Sequence, residues 1–376
     1  MTINVFVPTF KVDEILAGIK VCLEKGWTGL GFKTVEFEDA WKTYTGFPNA
    51  HFVASNTVGL HLALHEFKML EGWQDGDEVI TTPLTFVSTN HAILYENLKP
   101  VFADVDESLC LDPESIATRI TPRTKAVIFV GIGGNIGKYK EVVELCAKHG
   151  LKLILDAAHM AGTFMDGRHA GWEADCTVFS FQAVKNLPTA DSGMICFKKA
   201  EHDKLVRELS WLGINKDTFQ RFNSGSYRWR YDVPNLGYKY HGNSIQAAIG
   251  LVQLKYLEED NSRRRRIAEI YDGLLEHIPE AIPVRHSPAC ISSRHLYQIR
   301  VKNRDKVLQN FYDNEIFPGV HYIDNTEYPM YAHGRGTCPK AQIASNEVIT
   351  LPIHLKLTDE DCHKITEVLS VGVKIS

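Results

Sequence analysis

The chain has 376 residues, 41 of them Lys or Arg and 46 Asp or Glu, for a formal charge of −5. That balance gives no electrostatic ground for binding nucleic acid or an anionic membrane surface. A hydrophobic content of 44% and a charged content of 23% describe an ordinary globular protein, and the length suits a large domain with a smaller one beside it.

At the N-terminus, MTINVFVPTFKVDEIL has a proline and charges where the apolar core of a signal peptide would lie. No uninterrupted apolar run is long enough to cross a bilayer, so the expected location is the cytoplasm. Ile15, Ile19 and Leu23 have helical spacing, and the helix they predict stops near Gly26. VEFEDAWKTYTG predicts a second helix. HFVASNTVGLHLALHEF then reads as a short strand, a polar turn at Ser55-Asn56-Thr57 and a third helix. Free amides at such a helix start favour an anion, and the same three residues are also a plain N-cap signal. His61 and His65 stand four apart and could share a helix face, but no third ligand or catalytic Glu accompanies them, so no metal is expected.

DEVITTPLTFVSTNHAIL supplies a further strand. KPVFADVD, TKAVIFVGIGGNIG and LKLILDAAH alternate with helical stretches such as KEVVELCAKHG, which is the β-α-β rhythm of a doubly wound sheet. GIGGNIG invites a dinucleotide reading, but its glycines at 131, 133, 134 and 137 do not fit G-x-G-x-x-G, because position 136 is Ile. LKLILDA and CTVFSF are short apolar runs with polar or glycine-containing borders, as expected of strands buried on both faces. The first delivers Asp156 at a strand end; the second delivers Ser180, with Lys185 five residues later. Ligands collect at the carboxyl ends of strands in open α/β sheets, so these groups are candidates for one pocket. An Asp and a Lys alone would also suit a salt bridge.

In the C-terminal third, SRRRRIAEIYDGLLEHI has helical spacing through Ile267, Ile270, Leu274 and Leu275, and Arg263 to Arg266 read as a solvated or salt-bridged helix face. The eight cysteines are scattered without a C-x-x-C pair and read as reduced, mostly buried thiols. There are no internal repeats and no long linker.

DAAH, FSFQAVKN and SGMICF resemble the core motifs of the DegT/DnrJ/EryC1/StrS family of pyridoxal-phosphate (PLP) sugar aminotransferases, with 29 residues between Asp156 and Lys185. The resemblance covers nearly the whole chain. It implies the aspartate aminotransferase-like α/β fold (PLP fold type I), with a large PLP-binding domain at 1–250 built on a mostly parallel mixed sheet and a smaller C-terminal α/β domain at 251–376. Lys185 would hold PLP as a Schiff base and Asp156 would face the pyridine nitrogen. The chemistry agrees, since a lysine amine condenses with an aldehyde once burial or charge lowers its pKa, and a fixed carboxylate keeps the ring protonated as an electron sink.

By the same resemblance the turn at Ser55 to Gly59 would take the PLP phosphate, with Asn56 in place of the usual glycine and Thr57 supplying its hydroxyl. Phe86 would stack on the ring, His159, in place of the commoner glutamine, would sit beside the phenolic oxygen, and Ser180 would bond the phosphate. Lys239 lies in the loop that reaches the partner subunit's phosphate site in relatives, although His241-Gly242-Asn243 departs from the usual wording. WTGLG would be an entry loop near the dimer interface, and GVHYI a substrate-facing loop. Arg228 and Arg230, in GINKDTFQRFNSGSYRWRY, are candidates for phosphate contacts. The implied reaction carries an amino group from an amino acid such as L-glutamate to a nucleotide-linked keto sugar, in a homodimer. Three rivals are a dehydratase of the same family, against which Lys185 argues, transamination of a smaller phosphorylated ketone, and a PLP-binding regulator.

Overall fold

A computed structural model describes residues 2–215 and 231–375. β1 (Ile3–Asn4) runs parallel to Ile316–Phe317 near the other end of the chain. The first predicted helix, α1 (Val12–Glu24), ends as expected before Gly26, whose φ of +64° suits a residue without Cβ. Its buried side follows the predicted stripe only in part. Ile15 and Cys22 face inward, Ile19 is half-buried and Leu23 is 61% exposed.

After α2 (Phe32–Thr45), the chain enters a seven-stranded sheet through β2 (Asn49–Val53), and α3 (Asn56–Glu71) follows. Further strands are β3 (Glu78–Thr81), β4 (Lys99–Phe102), β5 (Thr124–Val130), β6 (Lys152–Asp156), and then, counting two short strands at Phe164–Met165 and Arg168–His169, β9 (Cys176–Ser180) and β10 (Gly193–Phe197). Their spatial order is β2-β10-β9-β6-β5-β3-β4, and only β10 runs antiparallel to its neighbours. Alternation along each strand explains the apolar runs. Val127, Phe129, Leu153 and Leu155 enter a core with Phe37 and Trp41 of α2, while Ala126, Ile128 and Ile154 enter another with Leu60, Leu64 and Phe67 of α3. A strand covered on both sides needs apolar residues at every position.

A 32-residue helix, Ser244–Leu275, starts at Asn243, whose Oδ1 accepts from the Gln246 amide at 3.0 Å. It packs against α1 and α2, and its last turns place Ile267, Ala268, Tyr271 and Leu275 in a third core beside the three-stranded sheet of Ala281–Pro283, Tyr297–Val301 and Val348–Leu351. Residue 250 therefore lies within one continuous helix. The basic run on it is not uniformly solvated. Arg263, Arg265 and Arg266 pair with Asp359, Glu258 and Glu269, but Arg264 is buried and donates to the Ile353 carbonyl at 2.7 Å. All eight cysteines are free, and all but Cys290 are buried. No described helix is long and apolar enough to cross a membrane.

Candidate active site

Five strands, β2, β3, β5, β6 and β9, and the turns after them end at one edge of the large sheet, and the side chains there line a cavity of about 440 Å³. Register sets the arrangement, since Asp156 stands opposite Val130 on one side and Val178 on the other. The cavity wall gathers Asn56, Thr57, Phe86, Asp156, His159, Ser180 and Lys185, seven of the eight predicted residues. Lys239 is elsewhere. It is exposed, with its Nζ 3.3 Å from the centre of the Trp211 ring. Arg228 and Arg230 lie outside the described residues.

Asp156 is 3% exposed and held by three donors. Its Oδ1 accepts from Asn56 Nδ2 and from the Ala158 amide, both at 3.1 Å, and its Oδ2 accepts from Thr89 Oγ1 at 2.8 Å. Burial pushes its carboxyl up from the ordinary range, while Thr89, the Ala158 amide, Asn56 and the Lys185 charge pull the other way. Burial also brings the Lys185 amine down to about 8, opposed by Asp156. At that value a usable fraction is the free amine near neutral pH.

Asn56 has a use that the sequence did not reveal. Its side chain also donates to the Val178 carbonyl at 3.0 Å, so it braces the Asp156 carboxylate instead of reaching out from the turn. Its backbone amide and that of Thr57 open α3, where amides have no intrahelical acceptor, and Ser55 caps the turn by accepting from the Val58 amide at 3.3 Å. Gly193 on β10 lets this turn come close. A Cβ there would stand 2.8 Å from the Asn56 nitrogen and 2.6 Å from the Phe179 oxygen. Ser180 ends β9 on the same edge.

His159 receives the Gly133 amide on Nδ1 at 3.1 Å, and its Nε2 lies 3.1 Å from the Tyr322 hydroxyl. Burial holds its pKa well below the usual value, ahead of the charges of Lys185 and His321, so the ring is neutral. Gly133 adopts φ +64°, which gives the glycine stretch a structural role that its spacing left undecoded. Thr89, Gly133, His295 and Tyr322 belong to the site without having been singled out; Thr89 and Tyr322 stood inside TFVST and GVHYI. His61 and His65 are likewise not without a partner, since both reach Glu96, at 2.7 and 3.0 Å. Among the described residues no cluster is suited to a metal ion.

The DegT/DnrJ/EryC1/StrS aminotransferase family matches residues 10–370. The spore coat polysaccharide biosynthesis protein SpsC of Bacillus subtilis is 35% identical over 374 residues, covering 96% of this chain and 95% of SpsC. Among solved structures, the aminotransferase TlmJ of Streptoalloteichus hindustanus superposes with a TM-score of 0.92 at 31% identity, covering 100% of both chains. The PLP form of Spr1654 of Streptococcus pneumoniae, described as a putative sugar aminotransferase, gives 0.91 at 28% identity, covering 100% of this chain and 99% of the other.

Proposed function

The chain belongs to the DegT/DnrJ/EryC1/StrS aminotransferase family, and from that premise we propose that it moves an amino group from L-glutamate to a nucleotide-linked keto sugar, with PLP anchored covalently at Lys185. A PLP-dependent sugar aminotransferase is what the family and its structural relatives support. The observation that carries the finer reading is the pairing, in one cavity, of a lysine brought down to about 8 with a buried carboxylate fixed by three donors.

The residues fit the cofactor. Asp156 is an acceptor-only group suited to a protonated ring nitrogen, and the close approach at Gly193 leaves the first-turn amides of α3 as a cradle that a Cβ would fill. Thr57 and Ser180 would add hydroxyls for the phosphate, and Phe86 a flat apolar contact for the ring. PLP, when bound, supplies the electron sink that lets a C–H bond beside nitrogen break. Lys185 would have two tasks, to hold the cofactor at rest and, as a free amine, to take the proton from the donor carbon and deliver it on the cofactor side instead of back. Asp156 keeps the proton on the ring nitrogen while Lys185 does so.

In this reading the enzyme is a homodimer with Lys239 turned toward the partner's phosphate site, which accords with its place outside this chain's own cavity. A large domain at 1–250 and a smaller one at 251–376 would be joined by the long helix. The test is optical. The purified protein should show a visible PLP band that gives way to the pyridoxamine form when L-glutamate is added alone, and that returns with a keto-sugar nucleotide. A band indifferent to glutamate would reject the donor, and failure to take up PLP would reject the assignment of Lys185 and Asp156.

A further inference from the structure

Hydrogen-bond direction around His159 is fixed by the backbone. The Gly133 amide can only donate, so His159 Nδ1 at 3.1 Å must carry a lone pair. The ring is neutral and buried, hence its single proton sits on Nε2. Nε2–H therefore donates across 3.1 Å to the Tyr322 oxygen, which in turn cannot direct its own hydrogen back at His159. Among the described residues Tyr322 has no other hydrogen-bond partner, and it lines the cavity with Asp156 and Lys185.

His159 is also packed between neighbouring rings. The His295 ring lies 4.4 Å from it at 34°, and His295 is itself anchored through Nδ1 to Asn186 Oδ1 at 2.8 Å. Tyr322 is nearly parallel to His159, at 17°, and its ring is 6.1 Å from Phe86. Burial, with Asp156 nearby, raises its hydroxyl well above the usual phenol value, so the proton stays on oxygen.

We propose that Tyr322 is the terminal donor of a one-way relay, Gly133 amide to His159 to Tyr322 hydroxyl, and that it presents its hydrogen to an oxygen bound in the cavity, with Gly133 and His159 as positioning residues. The inference rests on the PLP reading for the identity of that oxygen, which belongs either to the cofactor ring or to the acceptor carbonyl. In both cases the chemistry is the same, an oxygen of partial or full negative charge that accepts one hydrogen bond.

The relay is tested first in the cofactor-free protein, by 15N NMR of labelled histidine with His159→Gln used to assign the signal. A neutral ring protonated on Nε2 is expected, and protonation on Nδ1 would overturn the relay whether or not PLP binds. Tyr322→Phe is then compared with the parent in two arms. A changed visible band in the resting PLP-loaded enzyme, without donor or sugar, assigns the oxygen to the cofactor. An unchanged band with a second half-reaction slowed at least tenfold assigns it to the acceptor carbonyl. His159→Leu should reproduce whichever change is seen, and His159→Gln, which keeps a side-chain N–H, should restore most of it. If Tyr322→Phe alters neither the band nor either half-reaction, Tyr322 is not a donor to bound ligand.

Discussion

Replacing Thr89 with valine removes one hydroxyl and little else. That hydroxyl donates to Asp156 Oδ2 at 2.8 Å and lies 3.1 Å from Thr85 Oγ1. A hydrogen bond to a charged group contributes about 1.5–3 kcal/mol, which at ~1.4 kcal/mol per unit raises the Asp156 pKa by about one to two units when lost. The carboxyl is already raised by burial. A group raised in this sense contributes stability below its unfolded pKa and loses it as the pH climbs through the folded one. Thr89→Val should therefore be less stable than the parent by about 1.5–3 kcal/mol at neutral pH, with the gap narrowing as the carboxyl protonates. Urea unfolding of the cofactor-free protein at several pH values measures this, with Thr89→Ser as the variant that restores the hydroxyl. A deficit within about 0.5 kcal/mol of zero at neutral pH, or one that does not vary with pH, refutes the reasoning.

Two further outcomes are expected. Lys185 is brought down from 10.5 to about 8 by burial, so its contribution to stability is present above the unfolded value and lost as the pH falls through about 8. Cofactor-free Lys185→Met should then be more stable than the parent below about pH 8, and the advantage should fade toward 10.5; an advantage constant across that window would show that the amine is not desolvated. Gly193→Ala forces a methyl against backbone atoms of both Asn56 and Phe179, a crowding that costs about 1–3 kcal/mol, and PLP retention in dialysis should weaken with it. Retention equal to the parent would mean that the turn at Asn56 does not cradle the phosphate.

Strands and helices were legible because periodicity carries them. Alternation between two cores made LKLILDA and CTVFSF continuous apolar runs, and strand ends placed Asp156 and Ser180 on one edge. The supports of that edge were not legible. Thr89 is 67 residues from Asp156, and no spacing rule joins them. Asn56 looked like a substitution in a phosphate turn, yet its amide side chain had become a brace for the carboxylate. Arg264 looked like its neighbours in a basic run, and only its buried hydrogen bond to the Ile353 carbonyl distinguishes it. Glu96, which lies between His61 and His65, comes from the end of a different helix, so the pair appeared isolated in the sequence.

The pairing of Ile3 with Ile316 has a consequence during synthesis. Phe6, three residues after Ile3, forms part of the cavity wall and stacks on His295 at 5.4 Å and 9°. On the ribosome, Ile3 to Phe6 emerge ahead of the partner strand at Ile316, which follows about 300 codons later. At about 5–20 residues per second that interval is roughly 15 to 60 s. Residues 3–6 are thus made long before they can be seated, and the cavity wall that includes Phe6 is complete only once His295 and Ile316 have both been translated.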